Sequence, residues 1–156
     1  MSGFDEWKQS HLDTIEAIGK ELDKDGDWLP VIVYERQGLD IGVLPLVGMG
    51  GQEGLPLVTA ALAKIQPTRI ARIEMGWAAN FVEGSEQRPT DRPDRYEVVM
   101  AQFCEAGRDG QHELWWATVD RSGEHPRLNE WELVGDFGGA VAEATRLAMA
   151  TLGRLN

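Results

Sequence analysis

Two strand-like runs separated by a long polar loop constrain this chain most: RIARIEMGWAANF (69–81), VEGSEQRPTDRPDR (82–95) and YEVVMAQF (96–103). In the first run Ile73, Met75, Trp77 and Ala79 alternate with Glu74, Gly76 and Ala78, the period of a half-buried strand. In the second, Tyr96, Val98 and Met100 alternate with Glu97, Val99 and Ala101. Both faces are apolar around 98–101, which predicts a central strand. The loop carries Pro89 and Pro93, which restrict its conformations and lower the entropy cost of presenting a defined surface. Loops longer than about a dozen residues without structure of their own are often functional.

The remaining segments read as cover for that hairpin. Phe4, Trp7, His11 or Leu12, Ile15, Ile18 and Leu22 fall on one helical stripe, with Ser2 as N-cap and Asp5 and Glu6 at the positive end of the dipole. Asp25-Gly26 then supplies a turn with a glycine able to take positive φ. Residues 29–36 and 39–46 read as a hairpin joined through Gln37-Gly38, with Leu39, Ile41 and Val43 on one face. Pro30 fits only a strand start, and Pro45 only a strand end or edge, because neither donates to a ladder. LPLVTAALAKI predicts a short helix with Leu57, Ala61, Leu62 and Ile65 inward, closed by Pro67. After the hairpin, GRDG turns the chain into HELWWATVDR, a third strand antiparallel to the second, and LNEWELV reads as a short strand carrying Trp131. Asp136 caps a last helix over about 138–152 with Val141, Ala144, Ala148 and Leu152 inward. The order predicts one α+β domain over 1–156: a single, mostly antiparallel sheet of five or six strands with N-terminal, middle and C-terminal helices. If the helices pack on one face, the other is left partly exposed. Six tryptophans are many for 156 residues, and an exposed face with Trp115 or Trp116 would suggest a homodimer.

Charge and composition narrow the functions. A chain of 156 residues buries roughly 68–70% of its unfolded surface, enough for a core without staples. A net charge of -11, from 26 acidic and 15 basic side chains, repels phosphate backbones and argues against direct nucleic-acid binding. The start MSGFDEWKQS has neither the basic nor the apolar stretch of a secretory signal, and no apolar run approaches the ~20 residues that span a bilayer. The single Cys104 makes no internal disulfide. Together these predict a cytoplasmic protein with no membrane contact.

Around the hairpin, Glu74-Met75-Gly76-Trp77, then Arg88-Pro89-Thr90-Asp91-Arg92-Pro93-Asp94-Arg95, then Glu97-Val98-Val99 match a pattern of E-x-x-W, RPS-x-x-PDR and E-V-V. In this quarter of its length the chain resembles a group of small uncharacterised bacterial, actinobacterial and phage-encoded proteins. Thr90 stands where the pattern has serine, and Tyr96 precedes the glutamate. The resemblance implies the strand-loop-strand arrangement and carries no mechanism.

Candidate sites are few. Arg72, Arg88, Arg92 and Arg95, with Trp77, Asp91 and Asp94 among them, would hold an anionic or carboxylate-bearing partner through guanidinium forks, unless the aspartates pair with the arginines inside the loop. Gly48, Gly50, Gly51 and Gly54 precede a helix and invite comparison with a phosphate cradle. Glu53, however, occupies a position where GxGxxG needs glycine, and no Gly-Lys-Ser/Thr ending exists. His11, His112 and His125 lack metal-binding spacing, although His112, Asp109 and Glu113 could meet in space. Neither Ser85 nor Ser122 sits in a nucleophile elbow, and Cys104 reads as a buried small hydrophobe. No cofactor signature is present. The expectation is a non-enzymatic protein-interaction module of phage or bacterial origin, one form of which is an acidic inhibitor of a host nucleic-acid-binding system. The alternative is a small-ligand or nucleotide-binding domain using the glycine loop and the hairpin arginines.

Overall fold

A computed structural model of the protein describes residues 3–36, 40–47, 52–79, 91–134 and 139–152. Its elements are α1 (Gly3–Gly19), β1 (Val31–Arg36), β2 (Asp40–Pro45), a 3-10 turn (Gln52–Gly54) leading into α2 (Leu55–Ile65), β3 (Arg69–Ala78), β4 (Tyr96–Glu105), β5 (His112–Asp120), β6 (Arg127–Leu128), β7 (Glu132–Val134) and α3 (Gly139–Thr151). The strands form one antiparallel sheet in the order β2-β1-β3-β4-β5-β6, with β7 also on β5. The α+β reading stands, with seven strands among the described residues because the segment around Trp131 contributes two short ones. β4 lies between β3 and β5, as its two apolar faces require.

The helices divide between the two faces of the sheet. α1 lays Phe4, Trp7, Leu12 and Ile15 on Ala71, Ile73, Val99, Ala101 and Phe103. Small alanines at 71 and 101 let the helix come close, and the Trp7 ring meets Phe103 edge-on at 5.5 Å. On the other face Val58 and Leu62 of α2 and Met149 of α3 pack with Leu152 on Ile32, Ile70 and Cys104. The anticipated bare face is therefore covered along the middle strands, and exposed Leu29, Ile41, Val43 and Val47 gather at the β2 edge instead.

Several faces and ends differ from the sequence reading. α1 stops at Gly19, which takes the inward position in place of Ile18, now exposed. A Cβ at Gly19 would stand 2.7 Å from the Trp28 ring, whose Nε1 donates to the Ile15 carbonyl at 2.8 Å. Among the described glycines only Gly107 has positive φ, so the turn at Gly26 does not use that freedom. In α2 the inward residue is Val58, and Leu57 is exposed. In α3 the buried stripe is Ala142, Thr145 and Met149, with Val141, Ala144 and Ala148 on its flanks. Arg36 pairs with Asp40, and the expected Gln37-Gly38 turn and Leu39 lie outside the described residues. Ser2, Asp136 and Gly138 lie outside the described residues.

Candidate functional site

Alternation along β3 decides which of the predicted arginines can act together. Residues two apart share a face of the sheet, so Arg72 and Glu74 point to the α3 side while Trp77 points to the α1 side. Arg72 is only 2% exposed. Its cross-strand neighbours in one row are Ile32 on β1 and Gln102 on β4, and Gln102 in turn faces Leu114 on β5. A buried guanidinium in such a row needs compensation. Nη2 donates to Glu74 Oε1 at 2.9 Å and Nη1 to Thr145 Oγ1 at 2.9 Å, while the Thr145 hydroxyl donates to the Val141 carbonyl. Nε finds no hydrogen-bond partner among the described residues.

Beside Arg72 lies a recess of about 50 Å³ lined by Arg72, Glu74, Met100, Gln102, Leu114, Val141 and Ala142. Gln102 is also buried, and its Nε2 donates to the Ala142 carbonyl at 2.7 Å, tying the first turn of α3 to β4. Its second N–H lies 3.0 Å from His112 Nε2. Burial, with Arg146 close by, holds the His112 pKa below the ordinary 6.5, so the ring is neutral at pH 7 and accepts that bond. Sequence reasoning missed Gln102 and Thr145. The 142/145/149 spacing was the available signal for Thr145, because it places a hydroxyl in the centre of the buried stripe.

The base of the polar loop is a separate place. Arg92 pairs with Asp94 at 2.5 Å, which supports the reading in which the loop satisfies its own charges. The Arg95 guanidinium lies over the Trp77 ring at 4.6 Å, and Trp77 is 43% exposed. Asp91 is exposed at the loop's end, and Arg88 lies outside the described residues. The structure therefore does not bring Arg72 together with Arg92 and Arg95. Opposite Trp77, Glu97 accepts from Arg121 Nε and Nη2, and Arg121 also holds the 24–27 turn through the Lys24 and Gly26 carbonyls and Asp27. That clamp fastens the turn after α1 to the sheet.

Of the glycine loop, Gly48, Gly50 and Gly51 lie outside the described residues, and Gly54 precedes α2 in a right-handed conformation. Among the described residues no three histidine, cysteine or acidic side chains gather as metal ligands, so His112, Asp109 and Glu113 do not form a site. Burial pushes the Cys104 thiol up to about 12, which keeps it protonated and unreactive at pH 7. Trp115 and Trp116 are half-buried, with their indole N–H groups on Glu113 and Glu132.

Apart from Trp77, the exposed large apolar side chains among the described residues are aliphatic. β2 is an edge strand, and Leu46 donates to the Pro30 carbonyl at 2.8 Å, so residues 46, 44, 42 and 40 turn their backbone groups toward β1. Ile41, Val43 and Pro45 turn theirs outward, and the missing N–H of Pro45 falls on the open side, which is why proline is tolerated there. Ile41 is 73% exposed and Val43 58%, on the α1 side of the sheet beyond the reach of α1, with exposed Leu29 and Val47 flanking them. The face carrying Ile41 and Val43 thus meets solvent and not the core. No helix among the described residues is long and apolar enough to cross a membrane. Compared with protein-family models, curated proteins and solved structures, the chain matches none.

Proposed function

We propose that the protein is a non-enzymatic protein-interaction module whose docking element is the open edge of β2, and that a second copy of the chain is its partner. The observation that carries this reading is the outward Ile41-Gly42-Val43 segment. Among the described residues no strand pairs with its outward backbone donors and acceptors, and between Asp40 and Pro45 these lie beside two exposed aliphatic side chains. An edge of this kind is a template for strand addition. The segment is also self-complementary. A two-fold axis at Gly42 sets Ile41 against Val43 of the second copy and Val43 against Ile41, and each such pair exchanges both of its backbone bonds. Gly42 adds no side chain at the axis, and the Tyr34 ring covers it on the opposite face.

Each copy carries a charge of -11, so added salt screens their repulsion and strengthens this pairing. An acidic inhibitor acting through its charged surface would show the opposite response, since its attraction to a basic groove weakens with salt. The β2 edge favours the first behaviour. Light scattering coupled to chromatography is the test. The wild-type protein should run at twice the 17.3 kDa chain mass, and Val43→Glu should run at 17.3 kDa with an unchanged circular dichroism spectrum. A wild-type mass of 17.3 kDa across concentration and salt would overturn the proposal.

A further inference from the structure

We infer that the recess beneath the first turn of α3 is a binding site for a small monocarboxylate, seated on the Nε/Nη2 edge of Arg72. A guanidinium presents Nε and Nη2 as a side-on fork matched to the two oxygens of a carboxylate. In this chain the fork is half used. Glu74 takes Nη2 with one oxygen, and Nε, buried with its side chain at 2% exposure, has no partner among the described residues. Leaving a buried donor unsatisfied is costly, and native structures tolerate it mainly where a ligand, ion or water completes the set.

The recess fits that class of ligand in size, lining and charge. At about 50 Å³ it has room for the carboxylate and methyl of acetate and none for a nucleotide. Met100, Leu114, Val141 and Ala142 form an apolar wall for a short alkyl tail, and Gln102 adds a buried amide. The N-terminal turn of the 13-residue α3 places the positive end of its dipole alongside. Glu74, 19% exposed where Arg72 is 2%, is the member nearer solvent. The ligand displaces it toward solvent and takes over both donors, so Glu74 acts as a built-in competitor that sets affinity. This site is independent of the β2 edge, on the other side of β1, and neither proposal needs the other.

Acetate is the probe, with chloride at equal ionic strength as control, and the Arg72 Nε–Hε cross-peak in a nitrogen-proton NMR spectrum is the readout. Acetate should shift that peak saturably, with a Kd of about 1 mM, while chloride leaves it in place. Glu74→Gln removes the competing charge and should tighten acetate binding about tenfold. Arg72→Met should abolish the response of the Gln102 and Ala142 amides. An Nε–Hε peak that ignores acetate, an equal response to chloride, or weaker binding by Glu74→Gln would overturn the inference.

Discussion

Removing one member of the Arg72–Glu74 pair should cost more than removing the other. The two side chains meet at 2.9 Å, but Arg72 is 2% exposed and Glu74 19%. Glu74→Ala strands a cation that, among the described residues, keeps only its bond to Thr145. Breaking a fully buried pair costs about 3–5 kcal/mol, and because water can reach the vacated Glu74 position the expected loss is about 2–3 kcal/mol. Arg72→Met strands the partner that can turn to solvent. It also refills the row with an unbranched apolar chain and removes the desolvation penalty of the unsatisfied Nε, itself about 1–3 kcal/mol. The expected loss is about 1 kcal/mol or less. The gap of about 2 kcal/mol corresponds to about 4–8 °C in Tm for a chain of this length. Urea unfolding at pH 7, with equal m-values for both variants, measures it. Arg72→Met losing as much stability as Glu74→Ala, or more, would refute this account of the buried pair.

Acid should destabilise the fold in two stages. His11, wedged between Trp7 and Phe103, and His112 both sit below the ordinary 6.5, chiefly through burial. The unfolded chain therefore binds protons that the native chain refuses as pH falls through 6.5, and stability drops over that window. Asp120, held low by its bonds to Ser122, and Glu143, held low by Arg146, extend the loss as pH falls through the carboxylate range. Urea midpoints measured from pH 7 downward should decline, and a flat profile between pH 7 and 5 would contradict the histidine assignment. Phe103→Ala should cost about 3–5 kcal/mol, because the ring is fully buried against Trp7 beneath α1. Chemical denaturation checks it, and a loss under about 1 kcal/mol would mean that α1 does not seal on this strand.

The sheet and the buried stripe of α1 were largely legible, and the faces of α2 and α3 were not. The run around 98–101, apolar on both faces and rich in β-branched residues, reads as a strand with neighbours on both sides, and Pro45 marked a strand end or an edge. Taken to its end, the proline reading already turns Ile41 and Val43 outward, because residues two apart on β2 share an orientation. The helices misled because LPLVTAALAKI and GAVAEATRLAMAT are rich enough in alanine and leucine to carry two stripes each. Only contact with the sheet chooses Val58 over Leu57 and Ala142 over Val141. Arg72 was singled out, and Glu74 at the next position on the same face was a visible partner. Its burial depends on Thr145, which is far away in sequence and becomes a neighbour only when α3 docks. Trp115 and Trp116 are half-buried, and their indoles donate to Glu113, two residues back on β5, and to Glu132 on the neighbouring β7.

Amide hydrogen exchange along β2 addresses the proposed function most directly. Gly42 and Leu44 point to β1 and should be protected at every concentration, whereas Ile41 and Val43 point off the sheet. If β2 pairs with a second copy, the Ile41 and Val43 amides gain protection as concentration rises and lose it in Val43→Glu at position 41. Free exchange of both amides at all concentrations would contradict strand pairing at this edge.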